Sequence, residues 1–245
     1  RGEGGPPETG RGDPPCVAAM SDPLIQVERL TRVYREDHQE VRALGGVDLR
    51  IARGEFLAIA GPSGSGKTTL LNLIGGLDLP TSGRVVIEGR DLAALDGADL
   101  AEYRRANIGF VFQAYNLVPV LTALENVEYV MLLLGVPRDE RRARARAMLS
   151  AVGLDGLERR KPADLSGGQQ QRVAVARAIA AGPKAVLADE PTANLDSQTA
   201  IGLLDLMARL NREQGMTFVF SSHDPRVLER AHRLVQLRDG LIVGA

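Results

Sequence analysis

The run Gly61-Pro62-Ser63-Gly64-Ser65-Gly66-Lys67-Thr68 holds the residue types and spacing most suited to chemistry in this chain. It fits G-x-x-x-x-G-K-[ST], a loop that wraps a phosphate chain. Glycine has no Cβ and accepts positive φ, so the backbone N–H groups can turn inward together. A helix that starts at the loop adds the positive end of its dipole. Lys67 supplies a mobile cation for β- and γ-phosphates, and the Thr68 hydroxyl supplies an oxygen for Mg²⁺.

Two further stretches carry chemistry. Asp189 and Glu190 follow the apolar run Ala185–Ala188 and precede Pro191. Adjacent residues at a strand end can diverge, so one carboxylate can address a metal and the other an attacking water. Leu165-Ser166-Gly167-Gly168-Gln169 opens a helical run, Gln170 to Ala180. Ser166 is a good N-cap, and the glycine pair leaves N–H groups exposed, which makes a second anion-binding helix start. Taken alone, such a loop is an ordinary cap.

These groups need a scaffold. Glu55–Ala60 reads as a buried strand leading into the loop, and Thr69–Ile74 as a helix closed by Gly75-Gly76. Leu24–Val33, Val47–Ile51, Arg84–Ile87, Ile108–Phe112, Ala185–Ala188 and Thr217–Phe220 read as strands. Arg35–Glu40 reads as a polar turn. Leu100–Arg105, Thr122–Leu157 and Ile201–Leu210 read as helical, with Ala143, Ala147, Ala151, Met148 and Val152 at helical spacing. Arg233–Leu237 and Leu241–Val243 flank Asp239-Gly240, a hairpin signal. Strands alternating with helices imply an α/β fold with a mostly parallel core sheet.

The 245 residues, 44% hydrophobic, are enough for one large or two small domains. Thirty basic and 31 acidic residues leave a net charge of −1, which gives no electrostatic case for nucleic acid as a partner. The single cysteine, Cys16, excludes an internal disulfide framework. The apolar run Tyr129–Val136 is far short of the roughly 20 residues a membrane helix needs. A membrane partner is therefore expected to be reached from the cytoplasmic side. Residues 1–23 read as a disordered tail, and the Met20-Ser21-Asp22-Pro23 run reads as a start, with the residues before Met20 outside the working protein. Arg138, Arg141, Arg142, Arg144 and Arg146 form a basic cluster, read as a solvated helix face in preference to a headgroup or partner patch because acidic partners are sparse there.

Taken together, from Leu24 to Ala245, the chain resembles the nucleotide-binding subunit of ATP-binding cassette (ABC) transporters. The Gly61–Thr68 loop, the Leu165–Gln169 signature, Asp189-Glu190, Ala193-Asn194-Leu195-Asp196 and His223 occur in that family's order and approximate spacing. The resemblance implies a P-loop ATPase fold with an N-terminal antiparallel β part and an inserted helical subdomain at about residues 98–165. It also assigns roles. Tyr34 is expected to stack on adenine, and Gly61 to Thr69 to hold the phosphates. Thr68, Asp189 and Gln113 are expected at Mg²⁺, with Gln113 also at the attacking water. Glu190 is the expected base and His223 the γ-phosphate switch. Ser166, Gly167, Gly168 and Gln169 are expected to meet the γ-phosphate held by a partner, and Asp196 to couple the two sites. His38 and His232 are read as structural.

Leu73–Asp78, Gly109–Gln113 and Leu121–Val127 resemble the subgroup serving lipoprotein release, macrolide-type efflux and cell division. That likeness implies an ATPase that dimerises around two ATP, with a second copy or a homologous cassette. It would be held at the cytoplasmic face of the bacterial inner membrane only through a permease, docked along Ala114–Val127. Tyr115, Leu117, Val118 and Leu121 are the apolar candidates there. A division-type regulator acting on a permease-like protein without transport is the alternative reading.

Overall fold

The computed structural model describes residues 22–36 and 39–244. The expectations for the tail before Asp22, for Cys16 and for His38 lie outside the described residues.

The core is a six-stranded sheet in the order β10-β9-β3-β8-β7-β6. Its strands are β3 (Phe56–Ala60), β6 (Ile108–Val111), β7 (Ala185–Asp189), β8 (Thr217–Ser221), β9 (Arg233–Arg238) and β10 (Leu241–Gly244). β9, β3, β8, β7 and β6 run parallel, and β10 turns back antiparallel on β9. Asp239 and Gly240 both have positive φ, as a two-residue hairpin turn requires. Every residue of β3 and β8 is buried, as expected of parallel strands covered on both faces.

The two faces part the core by the period of two. Phe56, Ala58, Phe218 and Phe220 face one apolar cluster, which includes α3 (Ala123–Leu133), α4 (Arg138–Ala151), α5 (Gly167–Ile179) and α6 (Ser197–Gln214). Leu57, Ile59 and Val219 face a second cluster. That one is shared with α1 (Lys67–Ile74) and a four-stranded antiparallel sheet, β2-β1-β4-β5. Its strands are β1 (Ile25–Glu36), β2 (Gln39–Ile51), β4 (Ser82–Ile87) and β5 (Arg90–Asp91). Both long strands extend further than their alternation predicts, because they pair across Arg35↔Glu40 and Glu36↔Gln39.

Within the span 98–165, α2 (Gly97–Asn107) packs with the sheet. Leu100 enters the second cluster, and the Tyr103 hydroxyl donates to the Ile87 carbonyl at 3.0 Å. The helical layer is α3 and α4 against α5. The continuous helical reading of Thr122–Leu157 breaks at Leu134–Pro137, where Gly135 takes positive φ. α4 also presents a different face from the one its alanines trace. Of the residues at that spacing Val152 is buried and Met148 packs against the core, but Ala143 and Ala147 are exposed, and Ala145 and Leu149 are buried in their place. Leu149 has far more apolar area to remove from water than an alanine, and its position sets the rotation of the helix. The basic cluster is better partnered than its composition implies, since Arg144 pairs with Glu140 and Arg141 with Glu128.

Candidate functional site

The parallel strands β3, β8, β7 and β6 deliver their carboxyl ends side by side, the usual site for ligands in open α/β sheets. β3 runs into the Gly61–Gly66 loop, β7 ends at Asp189, β8 leads to Ser222 and His223, and β6 leads to Gln113. A cavity of about 590 Å³ lies over these ends. It is lined by Gly61–Gly64, Gly66–Thr69, Gln113, Glu190, Ala193, Ser221 and His223, with Val41–Ala43 of β2 on one side.

The loop has the form of a phosphate cradle. A Cβ on Gly61 would collide with the Leu237 carbonyl, and one on Gly66 would stand 2.5 Å from the Ala43 oxygen. Gly66 adopts φ 100° as the N-cap of α1 and offers no side chain to its first N–H groups. Those donors, the loop amides and the positive helix end are left for an anion. The Ser65 Oγ is buried with no hydrogen-bond partner. Lys67 Nζ folds along the loop and donates to the carbonyls of Gly61 (2.8 Å) and Pro62 (3.0 Å). This donor set and volume fit a nucleotide triphosphate chain.

Asp189 and Glu190 diverge. The Thr68 hydroxyl donates to Asp189 Oδ2 at 3.0 Å. One hydroxyl and one carboxylate are the sparse oxygen set with which Mg²⁺ is held beside phosphates. Glu190 turns away through a positive φ of 44°, a costly conformation for a side chain with a Cβ. Its N–H donates to the Ser221 carbonyl at 2.9 Å. Its carboxylate is held on both oxygens, by Ser222 Oγ (3.1 Å) and by His223 Nδ1 (2.7 Å). The carboxylate is thus fixed at the cavity wall, with the exposed imidazole beside it.

Ser166–Gln169 stand apart from this cavity. Ser166 and Gln169 form a reciprocal capping box at the start of α5: the Gln169 N–H donates to Ser166 Oγ (3.3 Å) and the Ser166 N–H to Gln169 Oε1 (2.9 Å). Asp196 caps α6, accepting from the N–H groups of Gln198 and Thr199. The Thr199 hydroxyl and these amides hold its carboxyl below the usual range. Thr199 packs so closely on Gly168 that a Cβ there would collide with it, so the two helix starts abut. Tyr34 does not line the cavity either. Its hydroxyl donates to Asp78 at 2.8 Å and the Arg32 guanidinium lies 4.5 Å over its ring, while its cross-strand neighbour Val41 does line it.

Four side chains to which the sequence reading gives no role of their own organise the site and the segment that follows it. Ser222 fixes Glu190, and Asn194 Nδ2 donates to the Gln113 carbonyl at 2.9 Å. Asn126 is fully buried and bonds the backbone of Val118, Leu121 and Thr122. Arg177 reaches the carbonyls of Tyr115 and Asn116. A polar residue inside an apolar helical stripe is the signal that could have found Asn126 and Arg177.

Asp224, next to His223, accepts from Thr192 Oγ1 (2.8 Å) and from Nε and Nη2 of Arg226. The Arg226 hydrogen bonds lead in holding its carboxyl down at about 2, against its partial burial. A depressed pKa stabilises the fold above the ordinary carboxyl range and loses that contribution as the group protonates. Asp224→Asn is therefore expected to cost about 1–2 kcal/mol at neutral pH. The gap to the parent should close as pH falls from about 4 towards 2, read from denaturant melts across that window.

A family model described as ABC transporter matches residues 44–193. The chain belongs to the ABC transporter family. The fold is that of the family's ATPase cassette. A solved structure of the ATP-binding cassette MJ0796, dimeric and in a post-hydrolysis state bound to ADP and Pi, aligns with a TM-score of 0.83 at 44% identity, covering 90% of this chain and 97% of that one. Among sequence relatives, the macrolide export ATP-binding/permease protein MacB 1/2 of Paracoccus denitrificans is 47% identical over 93% of this chain. The match spans 34% of that relative, so the cassette corresponds to about a third of the macrolide export protein's length. An ABC transporter ATP-binding protein of Thermotoga maritima is 48% identical over 90% of this chain and 94% of its own length.

Proposed function

We propose that this cassette binds and hydrolyses ATP as one half of a dimer that drives a membrane permease of the macrolide-export or lipoprotein-release type. One observation carries the reading: the chain holds two anion-binding devices, and they do not meet. The phosphate loop, Gln113 and Glu190 line one cavity, with Asp189 bonded to Thr68 behind it, and Ser166–Gln169 are absent from that lining. A second copy or homologous cassette, facing the first head to tail, brings the missing helix start to the γ-phosphate. ATP then favours the closed pair by differential contacts, and hydrolysis removes them.

In this reading Lys67 and the loop amides bind the phosphates, and Thr68, Asp189 and Gln113 would hold Mg²⁺, which would supply charge neutralisation at the phosphates. Glu190 orients the attacking water and takes its proton. His223 steadies Glu190 and the γ-phosphate. Tyr34, beside Val41 at the cavity's edge, serves the adenine.

The permease side rests on the macrolide export relative, whose name joins ATP-binding and permease functions. It also draws support from a groove of about 610 Å³ along α3 and α4, lined by Leu121, Tyr129 and Leu132 among Glu125, Glu128, Arg138, Arg141 and Arg142. Tyr129 and Leu132 are exposed, and the mixed charges suit an amphipathic segment of a permease. No helix among the described residues is long and apolar enough to cross a membrane. Attachment at the cytoplasmic face through the permease follows from this reading. Reconstituted in vesicles with the permease that co-purifies with it, the chain should hydrolyse ATP about tenfold faster than alone, through a shift towards the closed pair. An unchanged rate, with no vesicle association, overturns the coupling.

A further inference from the structure

The segment that follows Gln113 is held in a costly shape. Tyr115 and Asn116 are consecutive residues with φ of 56° and 49°, and neither is glycine. Asparagine tolerates that region, but tyrosine enters it at a penalty, so the surroundings must impose it at Tyr115. Arg177 of α5 supplies the restraint. Its guanidinium donates through Nη2 to the Tyr115 carbonyl (2.9 Å) and through Nη1 to the Asn116 carbonyl (2.5 Å). These are the two carbonyls that the left-handed turn aims at α5, and a planar fork suits two adjacent acceptors where a lysine would reach one. Burial lowers the Arg177 pKa, a sign of how far the group has been drawn out of water for this contact.

The same segment meets α5 a second time. The Tyr115 hydroxyl lies 2.9 Å from the position a Cβ would take on Gly167, so the phenol packs directly on the signature backbone. Beyond it, the buried Asn126 ties Val118, Leu121 and Thr122 to α3. Between the end of β6 at Val111 and this doubly anchored stretch, the backbone of Phe112–Ala114 accepts one side-chain bond, from Asn194 to the Gln113 carbonyl, and otherwise bonds within its own turn, from the Tyr115 N–H to the Phe112 carbonyl and from the Asn116 N–H to that of Ala114.

We propose that Arg177 is a positioning residue that makes Tyr115–Asn116 part of the α5 body, confining the joint between sheet and helical layer to Phe112–Ala114. A shift of Gln113 in its own nucleotide cavity is then transmitted, within one chain, to the Ser166–Gln169 loop offered to the partner's cavity. The inference rests on the proposed roles of Gln113 and of the signature loop, but the clamp itself does not.

The test uses the full chain with Arg177→Lys and Arg177→Met. If Arg177→Met melts below the assay temperature, Arg177→Lys, which keeps charge and stem, carries the test alone. Hydrogen exchange is first read without nucleotide. Peptides over residues 113–118 should exchange about tenfold faster in the variant while those over 167–175 keep their parent rates, the mark of a local opening. Unchanged protection at 113–118 overturns the clamp whatever the chain does. With ATP, the protomer's nucleotide affinity should stay within about twofold of the parent and kcat should fall about tenfold, because the displaced group is not itself in the cavity. Gln113→Ala added to the Arg177 variant should cost less than about twofold more, since both changes act through one placement. Multiplying losses overturn the positioning role. If Gln113→Ala alone leaves turnover intact, the reading of Gln113 falls, and the relay to the nucleotide with it, while the exchange result still decides the clamp.

Discussion

Glu190→Gln is expected to leave nucleotide binding intact, to slow turnover by about 10³-fold, and to accumulate an ATP-bound dimer. The substitution keeps the shape of the side chain, and its amide oxygen can still accept from Ser222 Oγ, which now bonds one carboxylate oxygen at 3.1 Å. What is lost is the charge that accepts a proton from water, beside His223 at 2.7 Å. A thousandfold loss corresponds to about 4 kcal/mol of barrier, within what general-base catalysis supplies. The fold should be spared, because the backbone at Glu190 is fixed by its N–H bond to Ser221 and the φ of 44° is equally open to glutamine. In the proposed cycle hydrolysis is what releases the closed pair, so blocking that step should leave it populated. Light scattering in ATP and Mg²⁺ reads the dimer, and single-turnover kinetics read the chemical step. Turnover within a few-fold of the parent, about 1 kcal/mol or less of barrier, would remove Glu190 from the base role.

How much of this was legible beforehand depends on the kind of signal. The phosphate loop declares itself because its glycines are demanded by local geometry, at Gly66 by a positive φ and the nearby Ala43 carbonyl. The buried strands declare themselves because parallel strands covered on both faces need unbroken apolar runs. Other features depend on partners remote in sequence. The rotation of α4 follows Leu149 and Ala145 against α3 and α5, which alanine spacing alone does not reveal. Arg141 looked unpaired because Glu128 sits on the preceding helix. Ser222 drew no reading of its own, yet it holds Glu190, 32 residues earlier in the chain. Tyr34 illustrates the opposite limit. Its role came from family likeness, and its hydroxyl and one ring face are engaged by Asp78 and Arg32.

Ser166→Asp separates binding from assembly and should damage turnover severely although it lies outside the cavity. Aspartate is as good an N-cap as serine, so the bond from the Gln169 N–H and the start of α5 should survive at a cost of a few tenths of a kcal/mol. The protomer's own cavity excludes residue 166, so its affinity for ATP should remain within about twofold of the parent. In the dimer, however, the new carboxylate would face the partner's γ-phosphate. Like charges brought together in a water-poor interface cost several kcal/mol, enough to abolish the ATP-dependent pair and lower turnover by about 100-fold or more. Lys67→Ala is the control with the opposite pattern, because it removes a cation from the cavity and should lose nucleotide binding in the protomer itself. Equilibrium binding of a fluorescent ATP analogue to dilute protein, followed by light scattering at high concentration, distinguishes the two. If Ser166→Asp weakened binding in the protomer as Lys67→Ala does, each chain would be completing its own pocket, and the shared-site account would fail.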